Sequence, residues 1–345
     1  MKNKIISLLK KFHLLKIAEI ICYTIFLPIT FIKILRNYFF PGTIVLIYHR
    51  IFIPGIDSQL LCVTPENFEK QLLYLKKNYK ILKIDKLIKY LKEKRTFRKG
   101  IIITFDDGYA DNYEFAFPIL ERLKIPVTIF VCTDNIDKDE EMWSHQLEQI
   151  FYLNKNLPTK LSFTFNGKKY VFNTQNNRPI KNTYNELHEL IKSQNKKKRD
   201  EIIAILFNWS GVTKTTKKYY RSLSSSELNK MSNSKYIEIS SHTISHHCLS
   251  KLSYDEQKEE IEESKKQLEK ILNKKIFAFS YPFGRKRDYN FETLKIVKNN
   301  YQIAFSNFPG VVRGKSNIYE LPRFLVRNWD IDIFRKKIKE FFLKY

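Results

Sequence analysis

Two acids stand side by side at the end of an apolar run, Ile101-Ile-Ile-Thr-Phe-Asp-Asp-Gly-Tyr109. A β-rich run that stops abruptly at Asp106-Asp107-Gly108 reads as the carboxyl end of a parallel strand, where α/β folds build their sites. Adjacent carboxylates there can divide the labour, one binding a metal and the other accepting protons. An Asp-Gly turn that merely caps the next helix is the alternative. A second run, Ile239-Ser-Ser-His-Thr-Ile-Ser-His-His247, again puts polar residues directly after a strand. His242 and His246 are four apart, so a helical turn would present both imidazoles on one face, as metal ligation requires. Two imidazoles joined by an aspartate from another strand end make the ligand set of an open catalytic metal site. His247 falls off that face and reads as a supporting residue.

A third run, Phe277-Ala-Phe-Ser-Tyr-Pro-Phe-Gly284, is an apolar strand closed by a turn. Pro282 fixes the turn and Gly284 lets the backbone approach a ligand closely, so a free backbone N–H there could serve an oxyanion. Together, Thr104-Phe-Asp-Asp-Gly108, Ser241-His-Thr-Ile-Ser-His246 and Tyr281-Pro-Phe-Gly284 resemble, in order, the motifs of the polysaccharide deacetylases, the NodB-homology proteins of carbohydrate esterase family four. The resemblance spans residues 43–326 with an insertion excluded. It implies a distorted (β/α)7-type barrel and a divalent metal ion, usually zinc, held by Asp107, His242 and His246. It also implies Asp106 as general base and the Phe283 backbone N–H, beside Tyr281, as an oxyanion donor.

The sequence departs from the usual family pattern in two places. No histidine follows His247, although the family places an acid-donating histidine late in the chain, and the usual arginine-bearing third motif is absent because Ser280 and Tyr281 precede Pro282. Both gaps resemble the poly-N-acetylglucosamine deacetylase branch, whose acid histidine sits in an early Tyr-His motif, here Tyr48-His49. Arg323, in Leu321-Pro-Arg-Phe324, matches a recurring arginine of related proteins and reads either as orienting Asp106 or as a structural ion pair. The implied activity is removal of N-acetyl groups from N-acetylhexosamine residues of a polysaccharide or lipid-linked glycan, with release of acetate. A catalytically silent glycan-binding barrel and an O-acetyl esterase using the same metal site are the rival readings.

The elements needed to position these residues are legible as short buried strands: 43–48, 101–105, 127–132, 237–241, 277–281, 303–306 and 324–326. Helical patterns occupy 65–79, entered through Thr64 and Pro65, then 85–94, and 253–272, where Ser253 and Glu256 form a capping box. Strands alternating with helices predict an α/β fold with a parallel sheet, and about seven such strands suggest a closed or nearly closed barrel. The rhythm breaks over about 140–235, an insertion with a hairpin at 163–172, marked by Asn166-Gly167, and helical patterns near 184–192 and 199–208. Trp143 opens the insertion and reads either as a sugar-stacking residue of the groove or as buried core.

Residues 1–40 form a separate segment, with the barrel over 41–345. Lys2, Lys4, Lys10, Lys11 and Lys16 punctuate an apolar pattern that predicts an amphipathic helix with a basic face. The uncharged stretch 20–32 is shorter than the roughly 20 residues a spanning helix needs, and Pro28 interrupts it. An interfacial segment on an anionic membrane fits best, with an uncleaved signal-anchor or a helix packed on the exterior of the barrel as the alternatives; membrane attachment would place the protein at a membrane or in the cell envelope. The 61 Lys+Arg against 36 Asp+Glu give the 345-residue chain a net charge of +25, which favours anionic partners. Nucleic acid is not expected, because no recognition motif is present and the basic residues are dispersed. Four scattered cysteines argue against a disulfide-stapled scaffold or a zinc ribbon and do not fix the redox compartment.

Overall fold

A computed structural model describes residues 35–39, 41–153 and 156–345. The expected amphipathic segment lies, but for its last few residues, outside the described residues. Among the described residues no helix is long and apolar enough to cross a membrane.

In chain order the barrel half opens with β1 (Thr43–Tyr48), the short pair β2 (Arg50–Ile51) and β3 (Cys62–Val63), α1 (Pro65–Asn78), β4 (Lys80–Ile81), α2 (Ile84–Lys92) and β5 (Gly100–Phe105). After a π-turn come α3 (Phe117–Leu123) and β6 (Val127–Val131). The insertion holds α4 (Trp143–Glu148), the hairpin β7 (Lys160–Phe165) and β8 (Lys168–Asn173), α5 (Asn177–Lys192) and α6 (Lys196–Ser210). The barrel resumes with α7 (Ser225–Ser232), β9 (Ile237–Ser241), α8 (Tyr254–Leu272), β10 (Ala278–Ser280), α9 (Phe291–Asn300), β11 (Ile303–Phe305), β12 (Phe324–Leu325) and α10 (Ile331–Lys344).

The main sheet runs β11-β10-β9-β6-β5-β1-β12, with β4 beside β5, and its ladders are parallel. It is a curled sheet whose two edge strands do not pair. The segment before β12 spans the gap: Leu321 bridges Phe305 in parallel, and two residues later Arg323 leads into the strand beside β1. The barrel is therefore nearly closed, by irregular chain where a further strand would sit.

Strand parity decides what enters the barrel. Ile101, Ile103 and Phe105 pack outward with the helices, while Ile102 lies in the smaller interior cluster with Val45, Phe130, Ala278 and Phe305. Side chains alternate along a strand, so Thr104 and Asp106 share the interior side with Ile102. The β1–β5 register pairs Tyr48 with Phe105, which brings His49 alongside Asp106, and the Asp106 amide donates to the Tyr48 carbonyl at 3.0 Å.

A buried ion pair secures the start of this arrangement. Arg50 Nε donates to Asp111 Oδ2 at 2.7 Å and Nη2 to the Tyr219 carbonyl at 2.8 Å, while Asp111 Oδ1 accepts the Ile51 amide at 3.0 Å. Asn112, next in sequence, donates to the His49 carbonyl at 2.9 Å. Burial raises the Asp111 pKa even though Arg50 and the hydrogen bonds oppose it. Replacing Arg50 by Met should therefore cost about 3–5 kcal/mol in urea unfolding at neutral pH, because it leaves a buried carboxylate unpaired. The deficit should shrink as pH falls: with its pKa raised in the folded chain, protonation of Asp111 favours the folded state. A deficit below 1 kcal/mol, or one that grows in acid, would contradict this account of the pair.

Candidate metal centre and active site

The first motif turns sharply where its strand ends. Asp107 and Gly108 both adopt left-handed backbone, φ +76° and +74°, and a Cβ on Gly108 would lie 2.8 Å from the Val131 side chain. A glycine is required there both for the conformation and for the close approach to β6. The second motif reaches its geometry differently from the helical turn expected. Residues 242–248 form an irregular loop, with Thr243 and His246 in left-handed backbone at φ +71° and +55°. The four-residue spacing of the histidines therefore works through two backbone reversals, not through helical periodicity. The loop is held by Glu260 of α8, which accepts the amides of Ile244 and Ser245 at 2.9 and 3.0 Å and the Ser245 hydroxyl.

These turns bring the separated motifs together. Asp107 Oδ1 lies 3.4 Å from His242 Nε2 and 3.4 Å from His246 Nε2. His242 Nδ1 donates to the Ser280 carbonyl at 2.8 Å, which fixes the tautomer and leaves the Nε2 lone pair facing Asp107. Asp107 Oδ1 is buried and has no hydrogen-bond partner among the described residues. Burial pushes the His246 pKa down to about 3, against the opposing pull of the Asp107 carboxylate. Burial alone would raise the Asp107 pKa, but the nearby histidines more than offset it and the carboxylate is ionised. An orphaned buried carboxylate oxygen faced by two imidazole nitrogens is the donor set a divalent cation takes.

The Cys132 thiol also lies near, its sulfur within 4.8 Å of Asp107 and His242 ligand atoms. It donates to the His242 carbonyl at 3.2 Å, and burial raises its pKa well above the ordinary thiol value, so it supports the loop as a neutral thiol.

Asp106 is treated differently from its neighbour. Arg323 grips it with two bonds, Nη1 to Oδ1 at 2.8 Å and Nη2 to Oδ2 at 2.6 Å. The guanidinium is itself aimed by the Ser306 carbonyl, Thr104 Oγ1 and Ser280 Oγ at 2.8, 3.1 and 2.7 Å. Burial would raise the Asp106 pKa, yet Arg323 and His242 hold it below the ordinary carboxylate value. Arg323 thus neutralises only one of two adjacent buried carboxylates, and Asp107 still calls for a cation.

The candidate catalytic, metal-binding and oxyanion residues, all but Arg323, line one cavity of about 360 Å³ together with Trp143. His49 presents a buried, unpartnered Nδ1, and burial lowers its pKa against the pull of both aspartates. Phe283 has φ +58°, and its amide donates to no acceptor among the described residues. Tyr281 lines the cavity but is anchored in packing, stacked 4.2 Å from Tyr289 with its hydroxyl donating to the Tyr319 carbonyl at 2.9 Å. Trp143 is buried in the insertion's core, its ring 4.9 Å from that of His188, and one edge of it also lines the cavity. Sequence reasoning missed Ser280 and Thr104 as partners of Arg323. The available signal was the one that marked Asp106, a polar residue on the interior parity of an apolar strand.

A sequence profile described as polysaccharide deacetylase matches residues 93–152 and 167–302, more than half of the chain. The chain belongs to this family. It is 25% identical over 285 residues to YxkH of Bacillus subtilis (strain 168), covering 82% of this chain and 70% of that protein. It is also 25% identical over 278 residues to the poly-beta-1,6-N-acetyl-D-glucosamine N-deacetylase of Staphylococcus aureus (strain N315), covering 80% and 71%. Among solved structures, the Streptococcus pyogenes deacetylase PplD in complex with acetate superposes with TM-score 0.55 at 20% identity, covering 84% of this chain and 94% of that one. IcaB from Ammonifex degensii gives 0.54 at 17% identity, covering 86% and 96%. These two likenesses establish the shared α/β fold, a curled parallel sheet with surrounding helices.

The Arg323 geometry makes a pH prediction. Because the guanidinium stabilises ionised Asp106, Arg323→Gln should raise that pKa and move the acid limb of the pH–rate profile upward, with a rate loss of about 10²-fold or more near neutrality. An unmoved acid limb would separate Asp106 from proton transfer.

Proposed function

We propose that this protein is a metal-dependent hydrolase that removes N-acetyl groups from N-acetylhexosamine residues of a polysaccharide, releasing acetate. The observation that carries the reading is the pairing at one strand end of an arginine-held carboxylate, Asp106, with an unpaired one, Asp107, facing His242 and His246 at 3.4 Å. Family membership and the likeness to a poly-beta-1,6-N-acetyl-D-glucosamine N-deacetylase support the substrate class.

In this reading Asp107, His242 and His246 hold one divalent cation, zinc by preference, which when bound lowers the pKa of water and polarises an acetyl oxygen. Asp106, kept ionised and oriented by Arg323, takes a proton from the attacking water. The Phe283 amide donates to the oxygen on which negative charge develops. His49, across the β1–β5 pair from Asp106, relays to the departing amine nitrogen the proton that Asp106 has taken from water, without which nitrogen leaves poorly. The products are acetate and a free amino sugar. The net charge of +25 and the lysine-punctuated N-terminal segment support a glycan at an anionic membrane or cell-envelope surface.

The test is to measure zinc stoichiometry and acetate release on N- and O-acetylated glycan oligomers side by side. Wild-type protein should bind one zinc and release acetate from the N-acetylated oligomer, with activity lost to a chelator and restored by metal. Asp107→Ala should lose metal and turnover together, whereas Asp106→Asn should retain metal and lose about 10³-fold or more in kcat. Near-wild-type turnover by Asp106→Asn, or release confined to O-acetyl substrates, would refute the assignment.

A further inference from the structure

The insertion builds its own core, from Leu147, Leu161, Tyr184, Leu187, Ile202 and Leu206 among others, separate from the clusters of the barrel. Such a unit could sit on the barrel through a solvated surface. Instead it sends buried polar side chains into the barrel, and each ends on the loop of a different motif. From α4, His145 Nε2 meets the Tyr109 hydroxyl at 3.0 Å, directly after Asp106-Asp107-Gly108, while its Nδ1 donates to Glu148 at 2.9 Å. From α6, Arg199 Nη1 donates to the Ser245 carbonyl at 2.8 Å, between His242 and His246. From the last residue of α5, Lys192 Nζ bonds Asp288 Oδ1 at 2.8 Å and stands 4.1 Å from the centre of the Phe283 ring. Asp288 Oδ2 in turn accepts the Arg285 amide at 3.0 Å, closing the turn that carries Phe283 and Gly284.

Burying a charged side chain is costly unless it is paired, and a hydrophobic contact of the same size would hold the insertion at least as firmly. What a buried directional bond adds is a fixed position for the atom it meets. The residues met are the neighbours of a metal-binding carboxylate, the carbonyl between two metal-facing imidazoles, and the turn of an oxyanion donor. The barrel's own bonds hold these loops from one side, Glu260 for the second motif, for example. The insertion holds them from the other.

Resting on the deacetylase reading above, we propose that the insertion is a positioning element of the active site, supplying His145, Arg199 and Lys192 as one clamp for each of the three motif loops. The clamps differ in what they control. Arg199 fixes the loop of two metal-facing histidines, so it governs metal affinity. Lys192 fixes the Phe283 turn, so it governs turnover at saturating metal. Both are positioning residues, acting through the groups they hold.

The experiment uses the full chain with Arg199→Met, Arg199→Lys and Lys192→Met, Met keeping the bulk without the charge. Zinc affinity is read by competition with a chromophoric chelator, and kcat and KM are read at saturating zinc on an N-acetylglucosamine oligomer. Arg199→Met should weaken zinc binding about 10- to 100-fold, with most of it recovered in Arg199→Lys, and should leave zinc-saturated kcat within about threefold of wild type. Lys192→Met should bind zinc as wild type does and lose roughly 10- to 100-fold in kcat with little change in KM. Unchanged zinc affinity in Arg199→Met, unchanged kcat in Lys192→Met, or a parallel fall of both quantities in either variant would overturn the proposal. Wild-type protein that binds zinc but releases no acetate would refute the deacetylase reading instead, and the Arg199 arm, read by zinc alone, would still decide its clamp.

Discussion

Asp106 and Asp107 are consecutive and both buried, yet the one guanidinium beside them, that of Arg323, pairs only with Asp106. Two carboxylates taken from water into one pocket repel each other and demand compensation, and most of the site's architecture follows from how that demand is met. Arg323 reaches Asp106 from the segment that closes the barrel, with its remaining donors occupied by Thr104, Ser280 and Ser306. The left-handed turn at Asp107 points the second carboxylate away from that arginine and toward two histidines. In the proposed reading, one acid then serves as a proton acceptor and the other as a cation ligand. The difference between them is made by backbone conformation and by one arginine, not by residue type.

That division explains where the structure tolerates strain. Asp107, Thr243, His246 and Phe283 are all non-glycine residues with positive φ, and all belong to the three motifs. Each reversal costs backbone energy that the surroundings must over-determine. Glu260 on the amides of 244 and 245, Gly108 against Val131, and the Lys192–Asp288 pair are the visible means of doing so. The insertion accordingly has a physical reason to be polar where it meets the barrel.

Much of this was legible in the sequence, for identifiable reasons. The strands at 43–48, 101–105 and 237–241 are short runs that end in polar residues and alternate with helical patterns, and that length and flanking mark strands buried on both faces. The Ser253 and Glu256 capping box and the Asn166-Gly167 hairpin are local chemistry and stand as expected. The histidine pair was found by spacing, but the conformation behind the spacing was not, because left-handed Thr243 and His246 leave no mark in residue type. The contacts of the insertion were invisible for another reason. Tyr109 and His145 are 36 residues apart, Arg199 and Ser245 are 46, and Lys192 and Asp288 are 96. Lys192 and Arg199 fall in the helical patterns near 184–192 and 199–208, and residue type does not mark which polar side chain there meets a buried partner; only the packed fold does.

The central claim is that Asp107, His242 and His246 grip a single cation beside an arginine-held Asp106. Anomalous diffraction from crystals grown with zinc tests it most directly. The account predicts one strong peak within about 2.0–2.2 Å of Asp107 Oδ1, His242 Nε2 and His246 Nε2, with Asp106 still paired to Arg323. Zinc bound elsewhere, or a Cys132 sulfur replacing either imidazole in the coordination sphere, would contradict it.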